Sequence, residues 1–179
     1  MLSRLMRDHK HIAILLRILT KKRTMLENGD SVNFNLVRDI VEYMQSYAEH
    51  SHHPLEDVIY EYGAERLPEV ARLGRLSAEH QQLITSSGAL MATLNLILSD
   101  VVVARDKLIS DLSHYIAEQE EHMLFEEREL FPLLAKHLNE SDWQEIHQRC
   151  QISLKDDPLF ADNDSQLFGE LKSYLAQSD

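Results

Sequence analysis

Histidine stands on four helical stripes where an aliphatic side chain is expected. Apolar residues recur at intervals of three and four, the period of a helix that buries one face, in four successive stretches of the chain. The first, about 2–27, runs through Leu2, Leu5, Ile12, Leu16 and Leu19 and stops at the turn signal Asn28-Gly29-Asp30. The second, about 32–62, runs through Phe34, Val37, Val41, Met44, Ala48, Leu55 and Ile59 and meets Gly63. Pro54 inside it predicts a kink or a restart. A third, about 68–98, carries Leu73, Leu76, Leu83, Met91, Leu94 and Leu98, with Pro68 near its first turn. The fourth, about 101–137, carries Leu108, Leu112, Tyr115, Leu130 and Leu133, and Pro132 interrupts its last turns.

Four long helices on short connections predict an all-α chain, an antiparallel up-down-up-down four-helix bundle over residues 1–139. Only 5 glycines and 4 prolines among 179 residues leave too few turns for an all-β alternative. Residues 140–179 read as a short C-terminal helical extension. Asn139 and Ser141 are cap candidates for a helix containing Trp143 and Ile146, and Asp156-Asp157-Pro158 breaks the pattern. A last helix, about 164–177, would pack Leu167, Leu171 and Leu175 on the bundle. The net charge of −12 argues against nucleic acid or an anionic membrane surface as partner. One cysteine closes no disulfide within the chain, and no stretch reads as a signal peptide or membrane span, so a cytoplasmic protein is expected.

The histidines divide into two sets. His9 falls between Leu5 and Ile12, His80 between Leu76 and Leu83, His52 continues the second stripe with Glu56 four residues on, and His122 and Glu126 continue the fourth. His11 shares a face with Arg4, Arg7 and Lys22, and His53 and Asp57 share one with Glu49 and Glu61; these faces are expected outside. His50, His114, His137 and His147 are likewise read as surface or outer-layer residues, Tyr115 as a packed aromatic, and Cys150 is assigned no role. Glu118, four before His122, reads equally as its outer hydrogen-bond partner or as a solvated carboxylate.

The inward set repeats. His9 to His52 is 43 residues and His80 to His122 is 42, and each second histidine opens His-x-x-x-Glu. Helices one and two thus resemble helices three and four, and the spacing of four sets each His and Glu on one face roughly 6 Å apart. Taken alone, a buried His is more often a hydrogen-bonded core residue, and His-x-x-x-Glu is common on solvated helices. The six at matched positions are a different matter. An ionised carboxylate in an apolar core costs many kcal/mol unless it is paired or coordinates a metal, and no lysine or arginine shares these stripes near the histidines. Four imidazoles and two carboxylates suit a pair of metal ions, with iron or manganese favoured by the mixed N/O ligation.

At DHKHIAILL, YAEHSHHPLEDVIY, AEHQQL and HYIAEQEEHMLFEERELFPLL the chain resembles the hemerythrin-like, or HHE cation-binding, family over about residues 5–137. The resemblance implies a four-helix bundle around a non-haem di-iron centre, two iron ions bridged by carboxylates and an oxo or hydroxo group. The metal ligands it implies are His9, His52, Glu56, His80, His122 and Glu126. Oxygen-carrying members have a second histidine on the third helix; here the positions four residues to either side of His80 are Leu76 and Ile84. The four-His, two-Glu set is similar instead to the nitric-oxide-responsive iron–sulfur repair proteins and to iron-sensing hemerythrin-like domains. The expected partner is therefore a small diatomic ligand, O2 or NO, or peroxide, in stress defence or sensing. An iron-responsive regulatory module is the alternative. Iron storage in the ferritin manner fits less well, because that family uses Glu-x-x-His with extra glutamates. No phosphate loop, His-Glu-x-x-His or nucleophile elbow points to a hydrolase or transferase.

Overall fold

Where the apolar stripes run, the backbone is helical. The computed structural model describes residues 1–150, 159 and 169–177, and among them there is no strand. Helix α1 (Leu2–Glu27) ends at the expected turn: Gly29 takes φ +84, Asp30 N–H donates to the Met25 carbonyl at 2.9 Å and Gly29 N–H to Leu26 at 3.1 Å. This paired closure needs a left-handed residue, which glycine adopts without a Cβ penalty.

The second stripe becomes one long rod of three parts: α2 (Phe34–Tyr43), a π-helical segment Met44–His52, and α3 (His53–Arg66). Asn33 caps its start, the Oδ1 accepting from the backbone N–H of Asn35 and Leu36 at 3.0 and 3.2 Å. Pro54 sits in the first turn of the restarted α3, where its missing N–H does least harm. The expected stop at Gly63 is not observed. The helix runs through it to Arg66 because Gly63 is a contact point: a Cβ there would lie 2.7 Å from Leu134 Cδ2.

The third stripe is split. Leu67 is extended ahead of Pro68, a short turn α4 (Pro68–Ala71) follows, and Gly74 at φ +27 precedes α5 (Leu76–Leu98). The fourth rod joins α6 (Arg105–Phe125), a π-helical turn Glu126–Leu130 and α7 (Phe131–His137) ahead of α8 (Glu140–Cys150). Asn139, not Ser141, caps α8, accepting from Ser141 and Asp142 N–H at 2.8 and 3.3 Å. The expected break at 156–158 and the start of the last helix lie outside the described residues; α9 (Gly169–Ala176) is observed, with Leu171 buried. No helix among the described residues is long and apolar enough to cross a membrane.

Helix α1 packs on α6, α5 on α6 and α2, and α3 on α5, while α8 rests on α3 and α9 on α2. The apolar side chains form two clusters. One contains Ile12, Leu16, Val37, Met44, Leu90, Leu112 and Tyr115; the other contains Leu5, Leu55, Ile59, Leu76, Phe125, Leu130 and Leu134. Along α1, His9 falls after Leu5 of one cluster and before Ile12 of the other, and His52 falls likewise between Ala48 and Leu55. The polar layer is therefore sealed by hydrocarbon at both ends.

Replacing Gly29 by Ala forces a Cβ into left-handed backbone 3.2 Å from the Arg105 guanidinium. The expected cost is about 1–2 kcal/mol of unfolding free energy, measured by urea denaturation.

Candidate metal centre

The six inward residues converge. His9, His52, Glu56, His80, His122 and Glu126 are all buried, the two carboxylates completely. Glu56 Oε1 faces His52 Nε2 at 3.0 Å and His9 Nε2 at 3.4 Å, while its Oε2 faces His80 Nε2 at 3.5 Å. Glu126 is arranged in mirror fashion: Oε2 lies 3.3 Å from His9 Nε2, and Oε1 lies 3.5 Å from His122 Nε2 and 4.0 Å from His80 Nε2. Each carboxylate thus spans the His9/His52 pair and the His80/His122 pair. The His80 and His122 Nε2 atoms themselves face one another at 3.1 Å.

The other nitrogen of each ring is also accounted for. His9 Nδ1–H donates to Glu127 at 2.9 Å, His52 to Asp8 at 3.3 Å, His80 to Asp57 at 2.9 Å and His122 to Glu79 at 3.1 Å. Asp8 and Glu79 immediately precede the first histidine of their own half and hold the second. Asp57 and Glu127 immediately follow the glutamate of their half and hold the first histidine of the opposite half. An acid on Nδ1 fixes the ring and leaves Nε2 turned to the centre, the outer-shell arrangement common around histidine-bound metals.

Several expectations are corrected here. His53 is not outside: it is buried, its ring stacked on His80 at 4.2 Å between centroids and 9° between planes, and edge-on to His122 at 5.5 Å. Its spacing of three from Glu56 was the available signal, since residues three apart share a helix face. Asp57 is half-buried against His80, and Glu49 is buried, its carboxylate accepting from the Ser87 hydroxyl. Glu118 is not the outer partner of His122. That place belongs to Glu79, while Glu118 accepts from Gln82 at 3.0 Å and pairs with His114 at 3.1 Å. On the face expected to be solvated with His11, Lys22 is buried, its ammonium 5.0 Å from the Tyr174 ring centroid. His50, His114, His137 and His147 are exposed, and Tyr115 is packed in the core. Cys150 is a buried free thiol beside Ile146.

Burial and charge pull these groups in opposite directions. Burial disfavours charged His9, yet the Glu126 and Glu56 carboxylates beside it raise it from 6.5 to about 10. His52 is likewise pushed up to about 9 by Glu56 and Asp8, and His80 to about 9 by Asp57 and Glu56, each against its own burial. Burial alone would raise Glu56, but the surrounding imidazoles, His52 foremost, hold it well below the usual carboxylate range. Burial and the Glu56 charge push Glu126 up. Burial, with the neighbouring His80, drives His53 well down.

The donor set fits a metal pair. All four oxygens of Glu56 and Glu126, and His9 Nε2, are buried without a hydrogen-bond partner. Such atoms cost roughly several kcal/mol per charged group unless something compensates them. Among the described residues two overlapping groups offer ligand atoms within 4.8 Å of one another: His9, His52 and Glu56, and His53, Glu56, His80 and His122. The family model described as the Hemerythrin HHE cation binding domain matches residues 1–134. The chain belongs to this family. Neither a search of curated proteins nor one of solved structures gave a match. For a hemerythrin HHE domain the matched span takes in all of the buried His/Glu cluster and its four outer acids.

Three imidazoles raised to about 9–10 carry protons at pH 7 when the centre holds no ion. Metal loading at pH 7 is expected to release about three protons, read by calorimetry in buffers of different ionisation enthalpy. Stability of the metal-free chain follows the raised histidines. Their contribution is complete below pH 6.5 and lost as pH rises through about 9–10, so pH-dependent thermal unfolding should show a decline across that window.

Proposed function

We propose that this hemerythrin-like chain holds two iron ions, a di-iron centre with an oxo or hydroxo bridge, and binds or reacts with O2, NO or peroxide in stress defence or sensing. The proposed ligands are His9, His52, Glu56, His80, His122 and Glu126. The single observation behind this reading is the pair of fully buried carboxylates, each spanning two imidazole pairs with no hydrogen-bond partner of its own.

Bound iron would supply the redox chemistry and the open coordination positions. The chain's own residues do the rest. Glu56 and Glu126 would hold the cations and neutralise part of their charge. Asp8, Asp57, Glu79 and Glu127 orient the four imidazoles and strengthen them as donors. The two apolar clusters keep bulk water from the layer between them. A cavity of about 180 Å³ lined by Glu79, Glu118, Glu121 and His122 lies on the outer side of this layer.

The same reading covers the architecture: an antiparallel up-down-up-down bundle over 1–139 with 140–179 as a helical extension. Cluster membership supports it, since successive rods meet the two apolar clusters in alternating order, Leu5 before Ile12 on α1 but Met44 before Leu55 on the second rod.

Protein purified without chelator is expected to contain iron and to develop a new visible absorption band with NO or azide. His52→Ala and Glu126→Ala should each lose iron and that band. Full iron content and unchanged spectra in both variants would refute the reading. Asp8→Asn, which weakens the hold on His52 Nδ1 along with the contacts to Tyr47 and Arg4, should lower iron affinity ~10- to 100-fold in a chelator competition while leaving stoichiometry intact.

A further inference from the structure

The polar layer is nearly two-fold in its own design, and one residue breaks that symmetry. Every element described so far has a counterpart: His9 and His80, His52 and His122, Glu56 and Glu126, Asp8 and Glu79, Asp57 and Glu127. His53, which follows His52, has as its counterpart Met123, which follows His122. His53 is 3% exposed, and a ring nitrogen of it belongs with Glu56, His80 and His122 in a group whose ligand atoms all lie within 4.8 Å. Its Nδ1 is buried with no hydrogen-bond partner, whereas the other four buried imidazoles each have Nδ1 on an acid. Met123 is partly buried, packs against the apolar cluster and lines a cavity beside His9. A thioether is a poor donor to the hard ions that carboxylate and imidazole favour.

We propose that His53 is a fifth histidine ligand, donating to the ion held by His80 and His122, so that the two metal positions differ in affinity. This deepens the reading above and rests on it. The His80/His122 ion then has three imidazoles and the His9/His52 ion two, with both carboxylates shared. Donor count sets the order of filling: the three-histidine position loads first and holds its ion longer. On this rod His52 faces one pair while His53, around 100° further on, faces the other.

The test uses the full chain and cobalt(II) as probe, titrated anaerobically with absorption and chelator competition as readouts. Wild type should bind two ions in unequal steps, the first ~10-fold or more tighter, at least the effect that loss of an outer-shell partner has. His53→Phe keeps a ring stacked on His80 but donates nothing, and should weaken the first step by at least ~10-fold, bringing it level with the second. Met123→His, made independently, should strengthen the second step instead. Free imidazole added to His53→Gly should restore the tight step. Two equal steps in wild type, or a His53→Phe variant that keeps the wild-type first step, would overturn the proposal while leaving the metal pair in place.

Discussion

Two carboxylates at the centre of an apolar bundle are the constraint on which the rest of this molecule depends. Glu56 and Glu126 are buried. Among the described residues neither pairs with a lysine or arginine, and their partners are imidazoles at 3.0 to 4.0 Å. A buried anion with no cation from the chain needs a proton or a metal. Without an ion the layer has recourse to protons: the raised affinities of His9, His52 and His80 show three rings borrowing charge to offset the acids. That is a workable state for folding. It is also a state that the proposed cations would displace, because the same oxygens and Nε2 atoms face one another across the layer.

Much of this was legible in the residues. Periods of three and four gave four helical stripes, and histidine on those stripes marked the layer, because a residue type that prefers partners cannot occupy an apolar face at random. What escaped was the second row of contacts. The outer acids sit one residue before a histidine or one after a glutamate, and adjacent residues on a helix lie 100° apart, so a wheel assigns one inside and the other outside. Asp8 shows how that division fails: it is 1% exposed on the flank of α1, holding His52 and accepting from Tyr47 at 3.2 Å. A layer of imidazoles is wide, and flanking positions reach it.

His53 escaped for a related reason. His53 lies one residue, about 100°, from His52, so a wheel that sets His52 inside sets His53 outside. Its ring nonetheless stacks on His80 across the layer. Pro54 did signal a disturbance, but a proline says that a helix restarts, not in which phase. Similarly, Gly63 carried no label telling a stop from a close approach; only the position of Leu134 decides that.

The crossed acids have one more consequence. Hairpin one owns His9, His52 and Glu56, a complete-looking set for a single ion, yet the acid that aims His9 comes from the other hairpin, as does Glu126. The same holds in reverse for His80 and Asp57. Neither half can be a finished module. Any ancestral or engineered single hairpin would have to pair with a second copy before its rings were steered, so duplication of such a unit would have joined two pieces that already needed each other.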